Sequence, residues 1–198
     1  MAIKRGTEIP TIDVVLVTIK PEGGEDEIAF DTASQIEVEP QIEEADPIQL
    51  IIKGVLKAQK PATSTLTGNQ ITLTDNVFTP ELVQVLQGGT IYYWTSDAKT
   101  EKGTTPTEYG IAGYAPPTVG STDKGKPFTL NAYTAQYDAS GQIVQYEKIS
   151  YPNCTGTPVG LNSEDDAFRA PEYTINSAAK EGESPYTIDY MDELPTVS

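Results

Sequence analysis

The chain predicts a mainly β fold: two packed antiparallel β-sheets, sandwich or barrel-like, with one short flanking α-helix. Three observations carry that expectation. Apolar and polar residues alternate at period two in several segments, β-branched residues and tyrosines crowd into them, and a single stretch has the start, stripe and stop of a helix. At 198 residues there is room for one domain with a real core, residues 1–198, and two domains would be cramped.

Residues 11–20 contain Val14-Val15-Leu16-Val17, a run too short and too β-branched for a helix, which reads as a strand buried on both faces. A turn through Pro21, Gly23 and Gly24 leads to a second strand near 27–33. Residues 35–39 then alternate Ile36 and Val38 against Glu37 and Glu39, so one face is apolar and the other acidic. After a corner at 40–47, residues 48–59 set Ile48, Leu50, Ile52 and Leu56 against Gln49, Lys53 and Lys57, which predicts one long amphipathic strand. Residues 63–74 follow as another, with Ile71 and Leu73 alternating after Gly68 and Asn69.

The helix is expected over residues 80–87. Thr79 is a good N-cap, Pro80 suits the first helical position, Glu81 complements the dipole and Gly88 supplies the stop. Its apolar residues are Leu82, Val83, Val85 and Leu86, and two turns alone are unstable, so the stripe must lie on a sheet.

Residues 90–94 read as strand, and residues 95–127, rich in Gly, Pro, Thr and Lys without periodicity, read as an extended loop at a contact surface. Residues 128–138 and 142–151 form the clearest hairpin, joined by Asp138-Ala139-Ser140-Gly141. The C-terminal region, 164–198, adds two strands near 172–177 and 185–190, for roughly nine strands in all.

Composition removes whole classes of function. The 13 Lys and Arg stand against 29 Asp and Glu, a formal net charge of -16, which argues against gripping nucleic acid through its phosphates. There is no histidine and the one cysteine is Cys154, so imidazole catalysis, imidazole metal ligation and intramolecular disulfides are excluded. The opening residues carry no apolar run of signal-peptide length and no later stretch reaches that of a spanning helix, which predicts folding in the cytoplasm of the producing cell without a membrane anchor.

Residues 22–46 hold ten acids and no Lys or Arg. Such a run is ordinarily a solvated face that keeps a monomer soluble; its functional counterpart is a wall that repels a polyanion sliding past it. Glu37, Glu39, Glu43, Glu44 and Asp46 are the candidates for that wall. Neither Glu164-Asp165-Asp166 nor Asp189 with Asp192-Glu193 has the spaced ligands and central glycine of a calcium loop, so no metal or cofactor is expected. Tyrosines cluster at Tyr92, Tyr93, Tyr109 and Tyr114, beside Trp94, and on the 128–151 hairpin. In strands these pack across neighbours or anchor interfaces more often than they bind sugar.

Three passages then resemble a known family. They are Ile71-Thr72-Leu73-Thr74-Asp75-Asn76-Val77-Phe78-Thr79-Pro80-Glu81-Leu82 running into Leu86-Gln87-Gly88-Gly89; the hairpin from Tyr137-Asp138-Ala139-Ser140-Gly141 through Tyr146-Glu147-Lys148 to Tyr151-Pro152-Asn153-Cys154-Thr155-Gly156; and the ending from Ala170-Pro171-Glu172-Tyr173 through Gly182-Glu183-Ser184-Pro185 to Asp192-Glu193-Leu194-Pro195. In this order, over about residues 27–195, they resemble the phage major tail proteins, or tail tube proteins, whose fold is related to the type VI secretion tube.

The resemblance implies a virion subunit that catalyses nothing and stacks with copies of itself as hexameric rings into a tube. That tube is a conduit for DNA ejection, or the needle of a phage-derived injection particle. It implies partners among sheath, baseplate, tape measure and terminator proteins, and DNA that passes without specific binding. Residues 1–10 become an N-terminal arm and residues 32–59 a long inter-subunit hairpin, with Lys4, Arg5, Lys53, Lys57, Tyr109 and Tyr114 as candidate contacts between subunits. The alternative from another class is a carbohydrate-binding or adhesin module of a virion, using the tyrosines between Tyr92 and Tyr114.

Overall fold

The computed structural model of the chain describes residues 11–24, 27–122, 125–162, 165 and 169–197. Along them run β1 (Thr11–Pro21), β2 (Ile28–Phe30), β3 (Ala33–Glu44), β4 (Ile48–Ile52), β5 (Val55–Lys60), β6 (Ser64–Asp75), α1 (Pro80–Gln87), β7 (Thr90–Trp94), β8 (Lys102–Gly103), β9 (Ile111–Ala115), β10 (Phe128–Tyr137), β11 (Ile143–Gly156), β12 (Glu172–Ser177) and β13 (Thr187–Met191). The architecture is mainly β and antiparallel with one short helix, as the alternation predicts.

The strands divide into one eight-stranded, one three-stranded and one two-stranded sheet. The large sheet has the order β2-β1-β10-β11-β12-β6-β3, with β13 added along β11. It curls until β1 and β3 approach each other, but its end strands β2 and β3 do not pair, so no barrel closes. Inside the curl, Val17 and Ile19 of β1 meet Leu130 of β10, Ile71 and Leu73 of β6, and Tyr173 and Ile175 of β12.

α1 spans the predicted residues and turns Leu82, Val83 and Leu86 into that interior, leaving Val85 half-buried. Each such side chain contributes about 1.5–3 kcal/mol on full burial, which is what holds a two-turn helix together. Thr79 is extended but makes no side-chain cap bond, so the expected capping hydroxyl is not used. The stop is as expected in place: Gly88 has φ 81° and its N–H donates to Gln84.

Three expectations are corrected. Residues 48–59 are not one strand, because Lys53 (φ 49°) and Gly54 (φ 77°) fold them back as the hairpin β4–β5, with Ile52 opposite Val55. Two consecutive left-handed residues are what a tight two-residue hairpin turn needs. The long hairpin therefore runs not over 32–59 but as β3 against β6, Ala33 opposite Asp75 and Glu44 opposite Ser64, with β4–β5 at its end. Residues 95–127 are not wholly loop, since β8 and β9 flank β7 as the three-stranded sheet. The described residues hold thirteen strands, against the roughly nine expected.

The β10–β11 hairpin matches its expectation. Asp138 Oδ1 accepts hydrogen bonds from the Ser140 hydroxyl at 2.6 Å and from the Ser140 and Gln142 N–H groups at 2.8 and 2.9 Å, and these, the hydroxyl first, hold its carboxyl below the usual carboxylate range. Cys154 is buried, and burial pushes its thiol up to about 12. Across the opposite face of the sheet a polar line crosses three strands. The Asn131 amide donates to Thr18 Oγ1 at 3.2 Å and to Glu27 at 2.9 Å, and Ser150 donates to Asn131 at 2.8 Å.

Candidate assembly interface

β3 and β6 leave the interior as a finger. Down to Ile36, Ile71 and Leu73 their apolar positions pack on the core. Beyond that point the alternation continues with nothing beneath it, and every residue from 37 to 67 is exposed. Val38, Ile42 and Leu66 extend the apolar line outward, Ile42 being 59% exposed, and the tip adds Ile48 at 69% together with Leu50, Ile51, Ile52, Val55 and Leu56. Soluble monomers rarely leave so many large apolar side chains together in water; such patches mark interaction sites.

The finger's charges are segregated. Glu37, Glu39, Glu43 and Glu44 lie on β3, with Asp46 just past it. Glu37 and Glu39 stand opposite Thr72 and Gln70 and border a shallow cleft of about 440 Å³. Four of the five acidic candidates thus share one strand at the edge of the large sheet, where an unpaired edge is a template for pairing with another chain. Lys53 sits in the tip turn and Lys57 on β5, both exposed, and neither forms an ion pair among the described residues.

The remaining candidates scatter. Lys4, Arg5 and the 1–10 arm lie outside the described residues, as do Glu164 and Asp166. Tyr109 precedes β9 and is 37% exposed. Tyr114 is half-buried and its hydroxyl is used within the chain, donating to the Gly88 carbonyl at 2.6 Å and accepting from the Gln87 amide at 2.9 Å. Tyr92, Tyr93 and Trp94 are likewise half-buried on β7. A cleft of about 610 Å³ opens beside the C-terminal end of α1, between Leu86, Pro116, Pro117 and Pro158.

Sequence reading missed the apolar surface of β13, where Tyr186, Ile188 and Tyr190 are all exposed. Its signal was present: Ile188 and Tyr190 alternate with Thr187 and Asp189, the mark of a strand with one apolar face. Among the described residues no helix is long and apolar enough to cross a membrane.

No family model matches the chain, and no curated protein matches it. Among solved structures it is similar to a chain of the anti-feeding prophage baseplate, seen by cryo-EM with six-fold symmetrisation, at 7% identity and a TM-score of 0.35, over 94% of this chain and 98% of that one. A likeness that slight assigns no role to any residue of this chain.

Proposed function

We propose that the chain is a structural subunit of a phage tail or phage-derived particle that polymerises through its finger and catalyses no reaction. The observation that carries this is the stretch 37–67, exposed throughout yet rich in apolar side chains, a surface suited to being covered by a second chain. The resemblance of the sequence to tail tube proteins supports the finer form of the reading: stacked hexameric rings, an acidic wall past which DNA slides, and contacts with sheath, baseplate, tape measure or terminator proteins. Distinct surfaces on the two sides of a contact give a ring where the rotation closes and an open stack along the axis.

Sedimentation velocity with negative-stain electron microscopy, over rising protein concentration and salt, tests the reading. Salt screens the repulsion expected of a net charge of -16. Rings or hollow tubes are the expected outcome. A monomer that persists at high concentration and high salt, and also after addition of preformed phage tail ends as seeds, would count against polymerisation.

A further inference from the structure

The tip of the finger is basic in an acidic chain. Residues 47–74 contain Lys53, Lys57 and Lys60 and no Asp or Glu, although the whole chain carries -16. The tip is also apolar on both faces, because Ile52 opposes Val55 on one side of the β4–β5 hairpin and Ile51 opposes Leu56 on the other. A surface that covers it must combine apolar contact with negative charge.

One described surface does. β13 lies along β11 with Tyr190 opposite Glu147 and Asp189 opposite Lys148. Ile188 and Tyr190 point to one side, 45% and 48% exposed, with Glu147 beside Tyr190 on that side and Asp192 and Glu193 following the strand, while Asp189 takes the other side next to Lys148. Two other clefts offer one property without the other. The cleft beside α1 has no charged residue among the described residues of its lining. The cleft of Glu37 and Glu39 has polar walls in Gln70 and Thr72.

We infer that the basic, apolar tip of one copy's finger docks on the acid-rimmed β11–β13 surface of a second copy. The inference rests on the self-assembly reading and specifies which two surfaces meet. Knob and receptor are different parts of the chain, so every copy carries one of each and the contact propagates instead of ending in a two-fold pair. Opposite charge around the apolar centre would set orientation and speed encounter.

The test places cysteines at both surfaces, since the one native thiol, Cys154, is buried. A chain carrying Leu50→Cys and Ile188→Cys, both at exposed positions, is expected to form a ladder of covalent oligomers under mild oxidation, whereas either single variant stops at dimers. Wild-type-like assembly without a ladder overturns this pairing and leaves self-assembly standing; no assembly and no ladder overturns both. A charge test runs beside it. The Lys53→Glu, Lys57→Glu chain is expected to assemble about tenfold more weakly, and to recover when mixed with a chain carrying Asp192→Lys and Glu193→Lys. Absence of recovery overturns the pairing, as does flotation of the wild-type chain with anionic lipid vesicles through its tip in place of cross-linking.

Discussion

The Tyr114 hydroxyl donates to the Gly88 carbonyl at 2.6 Å, tying β9 to the end of α1. The same oxygen accepts the Gln87 amide at 2.9 Å, so one side chain from the predicted loop closes the helix terminus. Tyr114→Phe leaves a carbonyl and an amide without that partner. A loss of about 1–2 kcal/mol is expected, read as a fall in Tm of about 3–6 °C in thermal denaturation, with the finger unaffected. An unchanged Tm would show that water replaces the hydroxyl at no cost.

Gly68 marks the root of the finger on β6, where a Cβ would fall on the Ser177 carbonyl oxygen, a backbone atom that cannot rotate away. Gly68→Ala is expected to destabilise by about 1–3 kcal/mol. Chemical denaturation measures it, and a neutral result would mean that β6 and the end of β12 separate more easily than their packing implies.

Stability should decline on the alkaline side. Burial raises the Tyr151 and Tyr173 hydroxyls from 10.0 to about 12, and the Cys154 thiol from 9.0 to about 12. For Tyr173 the nearby Asp75 adds to the effect of burial. All three groups hold their protons more tightly folded than unfolded, so the stabilisation is complete below the unfolded values and is lost as pH rises through the folded ones. Tm measured from pH 8 to 12 should fall, and Tyr173→Phe should make the fall shallower. An identical slope in the variant would remove Tyr173 from the account.

The finger should be dispensable for folding and needed for assembly. Ile51→Ser with Val55→Ser replaces two exposed side chains, so a change of no more than about 0.5 kcal/mol in stability is expected. Sedimentation should nevertheless show the assembled species lost. Full assembly by this variant would sink the proposal that the tip is the contact.

Local rules made much of this legible. α1 was readable to the residue because Pro80 and Gly88 punctuate both ends, and the β10–β11 hairpin because Asp138 and Gly141 define its turn. The split of 48–59 was harder to see. Lys53 takes a left-handed conformation unusual for a side-chain-bearing residue, and the alternation of Ile48, Leu50 and Ile52 runs straight up to it. The short strands β8 and β9 have too few residues for a period to register, and they form by pairing with β7. Where the site candidates sit was foreseeable only when they shared one element. Glu37 to Glu44 share β3, whereas Tyr114, picked for its residue type, faces its own helix.

β6 is one strand from the packed interior at Ile71 and Leu73 to the exposed Ser64, with a register shift against β3 at Thr67, so the finger is a beam grown from the body's own sheet. Its bearing relative to the body is set by the side chains that fill the interior. A change as small as Ile71→Val, far from any surface where copies meet, would therefore be transmitted down the beam as a rotation at its end. The diameter and pitch of a polymer built from such units are, in that sense, written in its core.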